Sequence, residues 1–457
     1  MFEPSAQIES LLTAVALKPP AAEGMRAMMQ RESEFPSPSQ ARLTGIALDP
    51  YGREFADQVM DAYWSDETRQ QNTLNSSGTD REVIIGSGFH AAAYAAVRVL
   101  SGYPRPLVLE RNERVGGTFA MTARPTFYLN SRNRAGRAGL AGDQGASLNY
   151  LPGAPIQAAN VSMVEYQTNT DMAFVIRLAL AQFADVVTNA NVLSVARDGT
   201  GDGTRVGTGV VIEIADRGSL PAGRVIDARG LGDPDDRDVA NGTTILTFPQ
   251  FMQRMAGMWP LRGVRRVAMI GGGDSAKCAV ESCLGIAPQP FMAATALDRV
   301  DRIDWYADAL PTTCEAWQQN IRGRYQAIGR YLRPDRFGVR RLNVLNRRAQ
   351  PVALPGAGLI DGRTYDLVVL CTGNRETDID GLGLGSFEEY TTADENVVAL
   401  LHYNLPVFRV GPHARLPFTR QEREDGIADI AANAVSLFRT ANKTAALAAT
   451  LRATKRA

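Results

Sequence analysis

The chain is poor in the residues that bind metals and form disulfides. Its 457 residues include four cysteines and three histidines, and no two cysteines stand in the C-x-x-C spacing of a zinc site or a redox dithiol. Cys278 and Cys283 are five positions apart, whereas Cys314 and Cys371 stand alone. We therefore expect no metal site and no dithiol relay, and we expect the reducing environment of the cytoplasm.

A net charge and a long apolar run are also missing. The 49 acidic residues balance 49 basic ones, so no overall positive field attracts nucleic acid or an anionic membrane. No apolar stretch reaches the length that spans a bilayer. Residues 11–17 are the one candidate for a signal-peptide core, but Glu3 and Glu9 precede them where basic residues belong. We expect a soluble protein that binds neither nucleic acid nor membrane.

The strongest positive pattern lies in residues 81–110, REVIIGSGFHAAAYAAVRVLSGYPRPLVLE. The apolar run 83–85 predicts a buried strand, residues 86–91 form a G-x-G-x-x-A turn, and a helix and a second strand follow. Such a turn lets the backbone approach a pyrophosphate at the helix N-terminus, and an acid about 20 residues on binds the ribose. The nucleotide-binding residues predicted here are Gly86, Ser87, Gly88, Phe89, His90 and Glu110.

Two glycine-containing segments follow this unit. In residues 115–119, VGGTF, the paired glycines let the backbone lie flat against a bulky ligand. Residues 127–136, FYLNSRNRAG, are poor core residues but suit the polar lining of a cofactor pocket, although a solvated loop explains them equally well. The cofactor contacts predicted in the first segment and just before it are Arg111, Gly117, Thr118 and Phe119.

A second turn of the same kind lies in residues 266–281, RVAMIGGGDSAKCAVE. An apolar strand, 267–270, leads into the G-x-G-x-x-A pattern at 271–276, and a helix follows. Two such turns, each between a strand and a helix, are much less easily accidental than one. The second nucleotide is predicted to contact Gly271, Gly273, Asp274 and Ser275.

The identity of the second nucleotide depends on the residues behind the next strand, 302–306. Asp308 favours the free ribose hydroxyl of NADH, whereas Arg322, Arg324 and Arg330 could bind the extra phosphate of NADPH. The sequence leaves this choice open. The basic stretch 330–348 is interpreted as a solvated face beside the cleft.

The order of the strands indicates one domain inserted into another. The strand 224–228 and the strand within 365–374 each end at a glycine, Gly230 and Gly373, where the chain leaves one domain and returns to it. We predict an α/β fold with two Rossmann-like domains and a mostly helical N-terminal arm. The expected divisions are an arm at 1–79, a first domain at 80–234 and 351–440, an inserted domain at 235–350 and a tail at 441–457.

Helices are predicted outside the nucleotide turns as well. The arm has apolar and aromatic residues near 53–64 and is expected to cover the main body, with a substrate lid or a dimer contact as the alternative. Residues 171–184 predict a largely buried helix, and residues 426–440 an amphipathic one.

Together these motifs resemble the two-dinucleotide-binding-domain flavoproteins. VIIGSGFHAAA with Glu110 and VGGTF, then DARGLGDP, VAMIGGGDSA and VVLCTGN occur in the family's order across residues 80–440. The GGGDSA segment looks like thioredoxin reductase, but the redox C-x-x-C of that branch is missing. The resemblance then points to the flavin-containing, Baeyer–Villiger and N-hydroxylating monooxygenases.

The resemblance implies FAD at the first turn and NADPH or NADH at the second. It places Gly373 and Gly411 near the cofactors, although Pro412 stands where the family has an acid beside the flavin ribityl chain. No clear match to the Baeyer–Villiger fingerprint is present. The residues expected to line the reaction pocket, and hence the candidates for catalysis, are Asn130, Arg132 and Asn133, followed by Asn149 and His413.

The implied activity is an FAD-dependent, NAD(P)H-driven monooxygenation. A flavin hydroperoxide would oxygenate a small molecule through an amine, sulfur or carbonyl group, and molecular oxygen would be the second reactant. Two alternatives stay open, a flavin reductase or dehydrogenase with another electron acceptor and a non-catalytic FAD-binding redox sensor. A homo-oligomer is also open.

Overall fold

The structure is a computed structural model of the chain. It describes residues 50–76, 78–132, 166–198, 209–234, 244–257, 260–286, 300–321, 323–336, 338, 341–375, 378–392, 397–418, 420–424 and 437–451. The predicted pocket residues Asn133 and Asn149 and the phosphate-binding candidate Arg322 lie outside these residues, as does the first part of the arm.

The α-helices begin where the sequence supplies a helix start. Thr168 and Thr247 each cap a helix and form a capping box with the residue three positions on. The helices are α1 (Pro50–Trp64), α2 (Glu67–Asn75), α3 (Phe89–Leu100), α4 (Asn169–Phe183), α5 (Phe248–Met255), α6 (Asp274–Leu284), α7 (Cys314–Asn320), α8 (Arg420–Glu424) and α9 (Leu437–Thr450). Short 3-10 helices span Gly117–Ala120, Gly323–Leu332 and Gly411–Ala414.

The strands are mostly short and apolar. They are β1 (Glu82–Ile85), β2 (Leu107–Leu109), β3 (Tyr128–Arg132), β4 (Tyr166–Thr168), β5 (Asp185–Val187), β6 (Val192–Arg197), β7 (Val210–Ile214), β8 (Gly218–Ala222), β9 (Arg224–Asp227), β10 (Asp233–Pro234), β11 (Ile245–Thr247), β12 (Arg266–Ile270), β13 (Arg302–Ala307), β14 (Leu342–Asn346), β15 (Val352–Leu354), β16 (Ala357–Ile360), β17 (Arg363–Tyr365), β18 (Leu367–Leu370), β19 (Asn374–Arg375), β20 (Phe387–Thr391), β21 (Val397–His402) and β22 (Val407–Arg409).

The first sheet has seven strands in the order β20-β21-β22-β9-β1-β2-β5. The five strands from β22 to β5 are parallel, and β20 and β21 extend the sheet in antiparallel fashion. Because successive strand residues face opposite sides, Ile84 packs with α1, α3, α4 and α9, whereas Val83 and Ile85 pack with the antiparallel sheet β6-β7-β8. The result is a three-layer ββα unit, in agreement with the α/β, Rossmann-like fold class predicted from the sequence.

The second sheet repeats this design with five parallel strands in the order β11-β18-β12-β13-β14. Val267 and Met269 pack against helices α5, α6 and α7, and Ala268 and Ile270 face the antiparallel sheet β15-β16-β17. The two G-x-G-x-x-A turns therefore stand at equivalent places, each behind a central parallel strand.

The chain passes between the two units through a pair of short strands. β10 follows the glycines at 230–232, β19 follows Gly373, and the two pair in antiparallel fashion. Strand β18 belongs to the second sheet, and β15 to β17 cover it, so that unit extends beyond residue 350, where we expected the inserted domain to end. We propose that the inserted domain ends near Gly373.

Two other predicted segments differ in the structure. Residues 128–132, expected as polar lining, form β3 and pair with β4. The described C-terminal helix covers Leu437–Thr450, and most of the helix predicted at 426–440 lies outside the described residues. Helix α4 begins two residues earlier than predicted and is almost wholly buried. No helix in the described segments is long and apolar enough to cross a membrane.

Candidate functional site

The first glycine turn lies at the carboxyl ends of β1, β2, β9 and β22. The N–H of Gly86 donates to Leu109 O at 2.8 Å, and the N–H of Ala228 donates to Ile85 O at 3.0 Å. Helix α3 starts directly behind the turn, with Gly88 at its N-cap and no side chain capping it. The first N–H groups of a helix have no partner within the helix, so an uncapped start is suited to an anion.

The paired glycines at 116 and 117 lie against this turn. Gly117 has φ +60°, and a Cβ added there would stand 2.8 Å from the Cα of Gly88. Two backbones can approach this closely only without a side chain. The contact leaves a surface of backbone at the start of α3, which fits a flat ligand with a pyrophosphate.

Glu110 lies at the predicted place, buried behind β2, but its carboxylate is already bound by the protein. Oε2 accepts from the N–H and hydroxyl of Ser87 at 3.0 and 2.6 Å. Oε1 accepts from the N–H and side-chain amide of Asn112 at 2.9 and 2.8 Å. A carboxylate has about four lone-pair positions, so a ribose hydroxyl must share or replace one of these bonds.

Ser87 joins the three segments of the first turn. Its hydroxyl donates to Glu110 and accepts from the N–H of Gly116 at 3.1 Å. Residues from β1, β2 and the paired-glycine segment are thus fixed to one buried oxygen. The motif permits any residue at this position, so the sequence alone did not reveal the role.

His90 is buried on the second position of α3. Its Nε2 lies 2.8 Å from Thr440 Oγ1 on α9, and a Cβ added to Gly411 would stand 2.8 Å from its Cγ. Burial lowers the pKa of His90 to about 3, so the imidazole is neutral at physiological pH. His90 therefore packs α3 against the Gly411 segment and α9, while its backbone lies at the nucleotide turn.

A buried charge cluster lies beside the first turn. Asp227, at the end of β9, binds Arg229 at 2.8 and 2.9 Å, and Arg409 and His413 lie 3.3 and 3.5 Å away. Burial raises the pKa of Asp227, but the hydrogen bonds and charge of Arg229, with His413 and Arg409, outweigh it and lower the pKa to about 2. The predicted pocket residue His413 thus contacts this carboxylate.

The second turn is shaped by backbone packing. Gly271 has φ +119°, and an added Cβ would stand 2.1 Å from the carbonyl oxygen of Cys371. Its own carbonyl accepts from Trp305 Nε1 at 2.6 Å. Gly273 is the N-cap of α6 without a side-chain cap, and Asp274 pairs with Lys277 at 3.0 Å. The start of α6 is therefore a second open anion position.

Arg324 connects the second unit to the strand of the predicted pocket. It is buried and forms an ion pair with Glu281, and it donates to Tyr128 O at 2.5 Å and to Cys278 Sγ at 3.2 Å. Burial raises the pKa of Glu281 to about 7 in spite of Arg324, and burial raises the pKa of the Cys278 thiol to about 11. Arg324 is thus engaged by Glu281, Tyr128 O and Cys278 within the protein.

Asp308 and Arg348 lie at the carboxyl ends of the neighbouring strands β13 and β14. Asp308 Oδ1 is 3.3 Å from Arg348 Nε, and both side chains are exposed. Arg330, another predicted phosphate ligand, is also exposed. In a parallel sheet of this kind a nucleotide binds at this edge, so Asp308 and Arg348 lie at the edge where the second nucleotide is expected.

The remaining predicted residues are spread along the same edges. Arg111 is exposed and forms an ion pair with Asp233 on β10, Thr118 is exposed, and the carbonyl of Phe119 accepts from Asn169 Nδ2 at 3.1 Å. Asn130 and Arg132 lie on β3. Ser275 lies in the first turn of α6, and Phe89 is buried at the start of α3.

Comparison with known proteins shows a fold but no close relative. No family model and no curated protein matches the chain. The crystal structure of DfoA bound to FAD, a cadaverine monooxygenase of desferrioxamine biosynthesis from Erwinia amylovora, is 13% identical with a TM-score of 0.50, covering 82% of this chain and 95% of that one. L-lysine 6-monooxygenase from Pseudomonas syringae is 13% identical with a TM-score of 0.50, covering 81% and 98%.

A flavin-containing monooxygenase from Stenotrophomonas maltophilia is 18% identical with a TM-score of 0.46, covering 80% of this chain and 97% of that chain. The two structures at a TM-score of 0.50 and the two equivalent glycine turns decide the fold. The chain has the two-dinucleotide-binding-domain flavoprotein fold. The predicted fold class is thereby confirmed.

Replacing Ser87 by alanine tests whether its hydroxyl holds together the three segments of the first turn. The change leaves the Gly116 N–H without its buried partner and removes one of the two hydrogen bonds that Glu110 Oε2 accepts, so we expect a loss of about 1–3 kcal/mol in the free energy of unfolding. Denaturant unfolding of the protein without added nucleotide measures it. The control is Ser65→Ala, whose exposed hydroxyl donates only to Ala62 O. Equal stability of the two variants would contradict the assignment.

His90 predicts a pH dependence of stability. Its native pKa of about 3 lies below the ordinary 6.5, so the unfolded chain binds the proton and the native state does not. The contribution is complete above pH 6.5 and is lost as the pH falls toward 3. Between pH 7.5 and 5.0 we expect the wild type to lose about 2 kcal/mol more unfolding free energy than His90→Gln. Parallel losses in urea unfolding would show that the imidazole is not buried as a neutral group.

Proposed function

We propose that the protein is an FAD-dependent oxidoreductase that is reduced by NAD(P)H, and specifically a single-chain monooxygenase. One observation carries the proposal. Helices α3 and α6 both start without a side-chain cap, and each start follows a glycine at positive φ that comes directly after a parallel strand. The described residues fit both cofactors, because the N-cap of each helix is a glycine and no side chain caps either helix start.

FAD is proposed for the first turn. The close contact of Gly117 and Gly88 provides flat backbone, and Glu110 lies where a ribose would be held. The backbone of Arg229 lies beside Gly86, since its Cα would be 3.2 Å from a Cβ at that glycine, and its guanidinium is bound to Asp227. FAD, when bound, supplies the redox chemistry, accepting a hydride and passing electrons onward. The protein supplies orientation and the open start of α3 near the phosphates.

The nicotinamide donor is proposed for the second turn. Helix α6 offers its N-terminus there, and Gly273 leaves the approach open, since an added Cβ would meet nothing within 4 Å. Arg324 links α6 to β3 of the first unit, because it pairs with Glu281 of α6 and donates to Tyr128 O of β3. This contact would keep the donor close to the pocket that Asn130 and Arg132 are proposed to line.

A small amine is the first substrate class to test. The two relatives at a TM-score of 0.50 are described as a cadaverine and a lysine monooxygenase, and amines are among the three groups that the sequence motifs suggested. Sulfides and ketones are the other two. We also propose a cytoplasmic location, which the four free cysteines support.

Anaerobic titration with NADPH and NADH, followed by oxygen and a panel of amines, tests the proposal. At least one donor should bleach the flavin, and mass spectrometry should then detect an oxygenated amine. Bleaching without any oxygenated amine, sulfide or ketone would favour a reductase or dehydrogenase, and no bleaching by either donor would favour a redox sensor. Purified protein that takes up no FAD would exclude all three.

Gly273→Ala is the matched variant for the donor site. Alanine fits its φ of −75° and meets no neighbour within 4 Å, so we expect an unchanged fold and flavin content. The methyl group would project toward the pyrophosphate, and we expect the KM for the donor to rise about tenfold, equivalent to ~1.4 kcal/mol. An unchanged KM would place the donor elsewhere.

Asp308→Asn tests the choice of donor. The carboxylate repels an added 2′-phosphate, and a like charge at 4 Å costs about 1 kcal/mol in water. We expect the ratio of kcat/KM for NADPH to that for NADH to rise by about fivefold to tenfold in the variant. The control is Asp301→Asn, since Asp301 is equally exposed but precedes β13 at its other end. Equal ratios in both variants would remove Asp308 from the site.

A further inference from the structure

The helical arm before β1 is firmly attached to the first unit. Val59, Met60 and Trp64 of α1 are buried in the same core as α3 and α4. In α2, Arg69 donates to Val186 O at 2.6 Å, and Gln70 donates to Thr188 Oγ1 at 3.0 Å. The sequence favoured an arm that covers the body, and the described part of the arm does so.

The arm also supplies the counter-charge of a fully buried cation. Arg177 of α4 has no exposed side-chain surface. Its Nε donates to Asp57 Oδ1 at 2.8 Å, and its Nη2 donates to Asp61 Oδ1 at 2.7 Å and to Asp57 O at 3.0 Å. The two acids are four positions apart and therefore share one face of α1. A buried cation needs such partners, because without them its desolvation is not compensated.

The same arginine contacts the paired-glycine segment of the first turn. Its Nη1 donates to Val115 O at 3.4 Å, and a Cβ added to Gly116 would stand 3.7 Å from its Cγ. Asp57 also lies 3.9 Å from Arg114, on the other side of Val115. The acids of α1 thus contact this segment at Arg114 directly and at Val115 O through Arg177.

The contacts of Arg177 continue to the surface where we propose that the nucleotide binds. Gly117 lies directly against Gly88 at the start of α3, and Gly116 is bound to Ser87. A continuous path of contacts therefore runs from Asp57 and Asp61 through Arg177 to the surface proposed for FAD. The relatives with this fold align almost whole on about four-fifths of this chain, so the chain carries segments beyond the shared fold, and the arm is a candidate.

We propose that Asp57 and Asp61 of the arm are positioning residues for FAD, which act through Arg177 to hold the segment 115–117 in its binding conformation. The inference rests on the proposed function only in that FAD occupies the first turn. Loss of the two acids leaves Arg177 buried without counter-charge, and the segment that it supports shifts. FAD then binds more weakly, with a faster release.

The test compares Asp57→Asn/Asp61→Asn with Arg69→Gln in the full-length protein. Both variants loosen the arm, but Arg69 attaches it to β5, away from the glycine segment. Release of FAD is followed by the recovery of free-flavin fluorescence on dilution, and thermal unfolding is recorded with and without FAD. We expect FAD release to accelerate at least about tenfold in the double variant and less than about twofold in Arg69→Gln.

Equal release rates in the wild type and the double variant would overturn the inference, and so would equal acceleration in the two variants. If the double variant does not fold, Asp57→Asn alone is compared in the same way, since it removes the acid that contacts both arginines. A wild-type protein that binds no FAD would instead contradict the proposed function. The two failures are therefore distinguishable.

Discussion

The first nucleotide turn depends on one buried hydroxyl. Ser87 donates to Glu110 and accepts from Gly116, so three separate segments meet at its oxygen. The turn needs these hydrogen bonds because the glycines that allow a close ligand approach provide no side-chain contacts of their own. Glu110, fixed from both sides by Ser87 and Asn112, is held in one orientation before any ligand arrives. Preorganisation of this kind lowers the ordering cost of binding.

The two units reach the same open helix start by different means. In the second turn Trp305 Nε1 donates to Gly271 O, and Gly271 packs its backbone against Cys371, at the point where the chain turns back toward the first unit. The contacts that relate the units include the β10–β19 pair, Arg324 against Tyr128 O, and the ring of Phe127 against that of Phe248. Arg324 also forms an ion pair with Glu281.

The sequence predicted the features whose cause is local. Glycine turns, apolar strands and alanine-rich helices are determined by neighbouring residues. Because these features were predictable, the fold class and the family resemblance could be inferred from the sequence. Polar contacts between distant residues were not predictable: Arg177 and its acids are about 120 positions apart, and Ser87 and Glu110 are 23 apart. Strand β3 was not predicted, because it contains polar residues and forms a strand through its pairing with β4, which is distant in the sequence. The end that we propose for the inserted domain, near Gly373, depends on the pairing of β18 with β11 and β12, which are distant in the sequence.

The most direct measurement is a crystal structure of the protein grown with FAD. We predict one FAD per chain, with its pyrophosphate at the start of α3 between Gly88 and Gly117 and its ribose beside Glu110. Density for FAD at the start of α6 would contradict the proposal that the segments joined by Ser87 form the flavin site. The absence of FAD density at saturating FAD, with the fold intact, would contradict it as well.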